Sequence, residues 1–303
     1  MPIVTTRELY DMCLNQPWAV GGFIGYNMEI MEATVTAALD VEAPILVQAS
    51  CRVMDYAGAD VLTAIAKAYA DRYRTDVALH LDHGDTVDRC KMCIDNGFSS
   101  VMLDCAGDTY DENVKKTREV VQYSHTRGAV VEGEIFHPID GPECFATSTE
   151  EAVRYVEQTG CDSLSICCGN AHDMDPHYPK RLRVRDIRRI HEALPHMPLV
   201  LHATSIFPDE FINRANAVGA CREKTCNFTL EDLQASFQYG VCKVNSALDI
   251  KLLYTTAIRE YMLSRPADID PRLYLGHARE EIRRYISQKH EQIFRDSGKL
   301  PRN

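Results

Sequence analysis

The sequence predicts an α/β fold, a (β/α)8 barrel (TIM barrel) with extra C-terminal helices, and three observations support this class. Short apolar segments alternate with helical segments along all 303 residues. The apolar segments are continuous, which is typical of strands buried on both faces of a parallel sheet. Eight can be counted, each followed by a helix, and this number closes into a barrel of about 250 residues. The remaining length suits extra helices, so we expect one domain over residues 1–303.

Each strand is predicted from a short apolar run that ends in polar or turn-forming residues. The runs lie at 19–25, 44–48, 77–81, 99–104, 129–134, 163–168, 199–202 and 241–245. The helices follow from apolar residues at helical spacing. They lie at 28–39, 56–73, 86–96, 110–127, 148–160, 185–193, 208–218 and 229–239, and two more close the chain at 248–263 and 271–293. Two long loops, 135–147 and 169–183, follow strands and are therefore expected on the catalytic face.

Composition limits the classes of function. The chain is 45% apolar and 25% charged, as in ordinary globular proteins, with a net charge of −11. This acidic balance argues against a nucleic-acid partner but leaves an anionic substrate open. No apolar stretch is long enough for a membrane span and the N-terminus lacks a signal peptide, so we expect a cytoplasmic protein. Most of the twelve cysteines are predicted to be buried thiols. The C-x-x-C motif of Cys90 and Cys93 lies inside a predicted helix without a second such pair, which argues against a zinc or redox role.

The segment 79–85 is the most informative part of the chain. Asp82 and His83 follow the apolar run of 77–81 and are expected to leave the strand at its carboxyl end. Catalytic groups of an α/β barrel lie there, and a carboxylate beside an imidazole can carry out acid–base chemistry next to a metal. The alternative is that Asp82 or Asp85 caps the helix that starts near Thr86.

Other predicted strands also end in polar residues, which a barrel would bring to one rim. They are Asn27, Ser50, Asp82 with His83, Asp104, Glu134, His172, His202 and Asn245. Three histidines with several carboxylates suit a catalytic zinc or a similar divalent ion, which commonly takes three protein ligands. A single histidine is most often a surface or loop residue; the strand-end position distinguishes His83, His172 and His202 from the others.

Six segments resemble one known family. They are residues 81–85, 96–104, 131–134, 240–245, 257–261 and 270–276, and they keep their order along nearly the whole chain. The family is that of the class II (metal-dependent) fructose- and tagatose-bisphosphate aldolases. The resemblance implies a (β/α)8 barrel that assembles as a homodimer or homotetramer.

The resemblance also implies a metal site and its catalytic groups. His83, His172 and His202 would bind Zn²⁺ or another divalent ion, while Glu134 and Asp104 resemble positions near this ion or near a second metal or monovalent cation. Asp82 resembles the acid/base at the C4 hydroxyl of the substrate. Glu143 lies in a loop where the family keeps a second proton-transfer glutamate. The reaction would be aldol cleavage between C3 and C4 of a ketose, and it needs no Schiff base from Lys243, the one strand lysine near the rim.

The substrate contacts are implied in the same way. Asn245 resembles a residue that binds the donor half of the substrate, and Ser50 one that contacts the aldehyde half. Arg259 resembles the arginine that reaches the distal phosphate, often in a neighbouring subunit. Asn27, at the end of the first strand, and Ser205, which persists in the phosphate loop, are further candidates for substrate binding.

Three departures from the family fall together at the donor-phosphate site. Asp173 replaces a glycine, residues 203–206 replace a glycine-rich turn, and residues 246–249 include Ala247 and Leu248 where the family has polar residues. A phosphate cradle needs backbone donors and hydroxyls. We therefore expect an aldolase whose preferred substrate is not the standard 1,6-bisphosphate. The alternatives are an ordinary bisphosphate aldolase with a rebuilt loop, or a catalytically silent barrel that acts as an accessory subunit.

Overall fold

The structure is a computed structural model, and it describes residues 3–105, 107–135, 147–169, 182–202, 209–220 and 229–300. Its centre is a parallel sheet of nine strands, in the order β1-β4-β3-β2-β9-β8-β7-β6-β5. The strands are β1 Ile3–Val4, β2 Val20–Ile24, β3 Leu46–Ser50, β4 Val77–Gly84, β5 Ser100–Leu103, β6 Val130–Ile135, β7 Ser163–Ile166, β8 Leu199–Leu201 and β9 Val241–Ser246. Because β4 also pairs with β5, strands β2 to β9 close into an eight-stranded barrel, which confirms the predicted fold.

Helices surround this barrel in the part of the chain that the structure describes. They are α1 Thr6–Cys13, α2 Met28–Asp40, α3 Cys51–Ala57, α4 Ala59–Tyr73, α5 Val87–Asp95, α6 Tyr110–His125, α7 Thr149–Thr159, α8 Val184–Ala193, α9 Asp209–Ala217, α10 Leu230–Phe237, α11 Leu248–Ser264 and α12 Pro271–Lys289. None of them is long and apolar enough to cross a membrane.

Apart from the end of β4, which is described with the site, the structure differs from the predicted elements at three places. The predicted helix 56–73 is two helices, α3 and α4, because Gly58 between them has φ of +85° and breaks the helical backbone. The short β1 and α1 were not predicted; α1 begins at a capping box made by Thr5 and Glu8. The last predicted helix ends at Lys289, and a π-helical turn, His290–Phe294, follows it.

The apolar core lies mainly between the barrel and its helices, where side chains of both layers are buried in one large cluster. Helix α12 packs against both α2 and α11, so it joins the first and last helices of the ring. The inside of the barrel is different, because several strands place polar side chains there. These polar residues extend from the interior of the barrel to the rim that is formed by the carboxyl ends of the strands.

Candidate active site and metal centre

The end of β4 is irregular. Its register with β5 shifts between Leu81 and Gly84, and His83 has φ of +52°. Such an irregularity re-aims a side chain relative to the regular alternation of a strand. The thiol of Cys51 donates to the His83 carbonyl, with 3.0 Å between Sγ and O. Asp82 and His83 thus still belong to β4, although the sequence predicted that they leave the strand.

The proposed alternative role of this segment as a helix cap is wrong. Thr86 is the N-cap of α5, and its side chain accepts from the amide of Arg89 at 3.2 Å. Asp85 is exposed and pairs with the Arg89 side chain at 2.9 Å. Asp82 is therefore available for a role at the rim.

Two overlapping groups of side chains at the rim could hold a metal ion. Asp82, His83 and His202 form one group, and His83, Asp104 and Glu134 form the other. Within each group the possible ligand atoms lie within 4.8 Å of one another. The rings of His83 and His202 meet edge to face, with centroids 4.6 Å apart. The barrel thus brings together groups that the sequence separates by more than a hundred residues.

Neighbouring groups orient these side chains. His83 Nδ1 lies 2.8 Å from Asp104 Oδ2, which fixes the ring of His83. Ser165, on β7, donates to Glu134 Oε1 at 3.2 Å. Hydrogen bonds of this kind hold a metal ligand in the orientation that binding requires.

The charges at the rim favour a cation. Burial acts to lower the pKa of His83, but Asp82, Asp104 and Glu134 outweigh it and raise this pKa to about 10. Burial also raises the pKa of Glu134 to about 7, against the effect of His83. Carboxylates thus favour the charged form of His83, whereas burial disfavours the charged form of Glu134.

The carboxylate of Asp82 is held by two amides. Asn245 Nδ2 donates to Asp82 Oδ1 at 2.8 Å, and Gln48 Nε2 donates to the same oxygen at 3.1 Å. In the sheet Ser50 is the direct neighbour of Asp82. Asp82 is only 5% exposed, and these contacts fix the orientation of its carboxylate.

Below the rim, a buried polar network fills part of the barrel. Glu132 Oε1 lies 2.8 Å from His202 Nε2, and Glu132 Oε2 lies 2.7 Å from Lys243 Nζ. Lys243 Nζ is also 3.3 Å from His80 Nε2. Glu132, Lys243 and His80 are all fully buried. A lysine that is buried and paired in this way is not presented to a substrate, as expected for chemistry without a Schiff base.

The residues present fit a divalent metal ion. Imidazole nitrogen and carboxylate oxygen are the donors that catalytic zinc takes in proteins. Moreover, Glu134 Oε2 is buried and has no hydrogen-bond partner among the described residues. A buried carboxylate oxygen without a partner costs free energy, and a cation beside it would remove that cost.

The structure brings together six of the residues that the sequence singled out for the site. They are Asp82, His83, Asp104, Glu134, His202 and Asn245. Two candidates are engaged elsewhere. Asn27 caps α2 through the Ile30 amide and donates to the Tyr254 hydroxyl, and Arg259 on α11 donates to the Val218 carbonyl at 3.1 Å. Ser50 lies at the end of β3 beside Asp82. The remaining candidates, Glu143, His172 and Ser205, lie outside the described residues.

Sequence reasoning missed Gln48 and Glu132. A signal for both was present, because several buried strands carry two polar residues at positions i and i+2, which share a face. The pairs are Gln48 with Ser50, His80 with Asp82, Glu132 with Glu134, and Lys243 with Asn245. In a barrel the shared face is the interior, so the first member of each pair lies below the second.

With the barrel and its rim of histidines and carboxylates in place, comparison with known proteins identifies the class. The family model of class II fructose-bisphosphate aldolase matches residues 4–299. The chain is 30% identical to a fructose-bisphosphate aldolase of Treponema pallidum, over 98% of this chain and 97% of that protein. It is 32% identical to one of Giardia intestinalis, over 95% of this chain and 92% of that protein.

The chain therefore belongs to the class II fructose-bisphosphate aldolase family. This makes it an aldehyde-lyase of a metal-dependent family. Among solved structures, the YdjI aldolase from Escherichia coli K12 superposes with a TM-score of 0.81 at 20% identity, over 99% of this chain and all of that one. This likeness supports the barrel fold.

Proposed function

We propose that this chain is a zinc-dependent aldolase that reversibly cleaves a ketose or ketose phosphate between C3 and C4. The products would be a dihydroxyacetone-type donor and an aldehyde. The observation that carries this proposal is the convergence of Asp82, His83, Asp104, Glu134 and His202 at one rim of the barrel. Family membership gives the reaction type, and the rim supplies the groups that this reaction needs.

We assign the metal to His83 and His202 together with His172. Glu134 and Asp104 would approach the same ion or a second one, since each lies in a group with His83. When bound, the ion supplies Lewis-acid stabilisation of the negative charge that develops on the donor half of the substrate.

We assign proton transfer at the C4 hydroxyl to Asp82. Among the described residues, its two amide donors both contact Oδ1, so Oδ2 is the oxygen left for the substrate. Asn245 orients this carboxylate and would contact the donor, and Ser50 beside it would contact the aldehyde half. Glu143 would return the second proton, at C3.

We infer that the donor half is not a standard phosphate ester. At the junction of β9 and α11, Leu248 packs against Ile212 and Ala215. The Ala247 carbonyl accepts from the Tyr26 hydroxyl at 3.2 Å. Ser246 donates to Asp249, which is paired with a buried lysine, Lys289. The polar side chains near this junction thus serve the fold, which favours a donor with an uncharged or differently substituted end.

A specific observation favours the alternative, an ordinary fructose- or tagatose-bisphosphate aldolase. Helix α11 begins at Leu248 with no side-chain cap, so the amides of its first turn need another partner. A phosphate at a helix N-terminus would provide one. The relatives from Treponema pallidum and Giardia intestinalis are also named for the bisphosphate reaction.

The two alternatives are separated by comparing donors. The measurement is kcat/KM in the direction of synthesis for dihydroxyacetone phosphate and for dihydroxyacetone, each with several phosphorylated and unphosphorylated aldehydes. We expect the unphosphorylated donor to be preferred. A strong preference for dihydroxyacetone phosphate would favour the alternative, an ordinary bisphosphate aldolase. Activity with neither donor would contradict the proposed reaction.

We also propose that the chain is a single domain over residues 1–303 that works as a homodimer or homotetramer in the cytoplasm. The resemblance to the family supports the assembly. Several cysteines of the described part, among them Cys13, Cys90 and Cys242, are free thiols, which is typical of proteins from a reducing compartment. The partner implied by the family is a sugar or sugar phosphate.

A further inference from the structure

We propose that Lys243 and Glu132 are positioning residues that decide which nitrogen of His202 binds the metal. This inference rests on the proposed role of His202 as a ligand. Neither Lys243 nor Glu132 is assigned contact with the substrate, and both lie inside the barrel below the rim. They would act through His202, by holding its ring with Nδ1 directed at the ion.

The first step is the contact between Glu132 and His202. Glu132 Oε1 lies 2.8 Å from His202 Nε2, and a carboxylate oxygen facing an imidazole N–H accepts its hydrogen. The hydrogen of a neutral ring is then on Nε2, and the lone pair is on Nδ1. Nδ1 faces the rim, 2.9 Å from Asn245 Nδ2 and 3.9 Å from Asp82 Oδ1.

The second step is the position of Glu132 itself. Its other oxygen, Oε2, lies 2.7 Å from Lys243 Nζ, and the two side chains are 1% and 0% exposed. Removing both charges from water costs free energy, and the pair is tolerated only when its geometry is good. The lysine therefore holds Glu132 in one orientation, with Oε1 directed at His202.

The third step is the anchor of Lys243. Its Nζ also contacts His80 Nε2 at 3.3 Å, and His80 Nδ1 lies 2.7 Å from Ser100 Oγ. Ser100 Oγ is in turn 2.9 Å from Thr6 Oγ1 on α1. A continuous line of polar contacts thus runs from α1, through the barrel, to His202. Of its two charged members, Glu132 contacts the proposed metal ligand and Lys243 contacts Glu132.

A carboxylate that accepts from the far nitrogen of a metal-bound histidine fixes the ring and increases its basicity. Loss of such a partner typically weakens metal binding by about 10- to 100-fold. In this chain the carboxylate has its own partner, so we expect removal of Lys243 to weaken metal binding in the same way as removal of Glu132.

The experiment measures Co²⁺ affinity by competition with a chelator, together with the visible absorption spectrum of bound Co²⁺. The variants are Glu132→Gln, Lys243→Met and the double variant. We expect each single variant to bind Co²⁺ about 10- to 100-fold more weakly with an altered spectrum. The double variant should be little worse than either, because the two residues act in one line.

The matched control is Lys289→Met, which breaks the other fully buried lysine–carboxylate pair of the described part. It should lower thermal stability and leave Co²⁺ affinity and spectrum unchanged. If Glu132→Gln and Lys243→Met behave like this control, their role is structural only and the inference is wrong.

A crystal structure of the zinc-loaded wild-type protein decides the question even if a variant fails to fold. We expect zinc on Nδ1 of His202 and a hydrogen bond from Nε2 to Glu132. Zinc on Nε2 would overturn the inference and leave the proposed function in place. Zinc bound without His202 would contradict the metal site itself.

Discussion

Asp82 and its neighbour Asp85 show how much the environment of a single residue matters. Asp82 is 5% exposed and receives two amide hydrogen bonds, whereas Asp85 is exposed and pairs with Arg89 on the surface. The sequence alone predicts that both carboxylates follow the same strand. The packing of β3 and β9 around Asp82 supports the role in proton transfer that we propose for it.

We expect Asp82→Ala to retain zinc and to lose at least about a hundredfold in kcat, the usual scale of general acid–base catalysis. The matched control is Asp85→Ala, which removes an exposed carboxylate three residues away and should leave kcat within about twofold, as surface changes usually do. Steady-state kinetics with metal analysis of both proteins gives the answer. Near-normal turnover of the Asp82 variant would remove this residue from catalysis.

Replacement of any one of His83, His172 or His202 by alanine should abolish activity and reduce bound zinc, because each is assigned as a ligand. His125→Ala is the control, since His125 is exposed and pairs with Asp162 at 2.9 Å. Metal content of the purified variants is the measurement. Full occupancy in the His172 variant, for example, would show that His172 is not a ligand.

At this scale the sequence predicted the residues of the rim better than the residues beneath it. The strand-end histidines and carboxylates were found because a barrel places strand ends together. Glu132 was not found: its spacing from Glu134 indicates the interior face of β6, but its role depends on the contacts that it makes with His202 and Lys243 inside the barrel. Those facts follow from register, which a single sequence does not fix.

Among the elements, β4 departs most from the expectation. Its sequence predicts a strand that stops at Leu81, but the pairing with β5 resumes at Gly84 after a register shift. The residue that makes this possible is His83 in the left-handed region, which a non-glycine residue adopts only when its surroundings hold it. The contacts that hold it come from Cys51 and Asp104, on separate parts of the chain.

The break between α3 and α4, unlike the irregularity in β4, occurs at a residue that stands out in the sequence. Gly58, at φ of +85°, is visible in the sequence as an isolated glycine inside a helical pattern. Such a glycine is tolerated in many helices, so the pattern alone predicts one helix. Helix α3 begins immediately after Ser50, which is paired with Asp82 in the sheet.

Gly84→Ala should disturb the end of β4. A Cβ at this position would lie 2.6 Å from the Met102 carbonyl oxygen and 2.8 Å from Cys90 Sγ. Because the first contact is with backbone, the strand must shift, and such overpacking costs about 1–3 kcal/mol. We expect lower thermal stability together with weaker metal binding, since His83 is the preceding residue.

The control for this prediction is Gly276→Ala, in the interior of α12, where a Cβ would meet nothing within 4 Å. It should raise stability by about 0.5–1 kcal/mol through helix propensity and leave metal binding unchanged. Thermal unfolding and zinc titration of both variants test the pair. Normal zinc affinity in a folded Gly84→Ala protein would show that the irregularity does not position His83.

For the whole molecule, the order of elements was predictable because alternating buried strands and helices leave few topologies open. The packing of the last helix was not predictable, since it depends on contacts between segments that are far apart in the chain. Helix α12 packs against α2 and α11, and Arg279 and Arg283 on α12 pair with Glu32 and Asp40 on α2. The sequence predicted α12 but gave no sign of where it packs.

A buried pair lies at the end of α12. Lys289 contacts Asp249 and donates to Ser246, and Tyr285 donates to Asp249 at 3.0 Å. Burial acts to raise the pKa of Asp249, but Lys289 and the hydrogen bonds outweigh it and lower this pKa below its ordinary value of 3.8. The stabilisation is therefore complete above that value and is lost only as the pH falls through the lowered pKa, so it is fully present at neutral pH.

Lys289→Met should destabilise the whole barrel at neutral pH. It leaves the fully buried carboxylate of Asp249 without its cation, and breaking such a pair from one side costs about 3–5 kcal/mol. The matched control is Arg283→Ala on the same helix, which breaks a pair with Asp40 in which both side chains are well exposed and should cost no more than about 1 kcal/mol. Urea unfolding of both variants and the wild type gives the difference. The double variant Lys289→Met with Asp249→Asn should recover part of the lost stability, because it removes the unpaired charge. If Lys289→Met alone is as stable as Arg283→Ala, the packing of α12 does not depend on this pair.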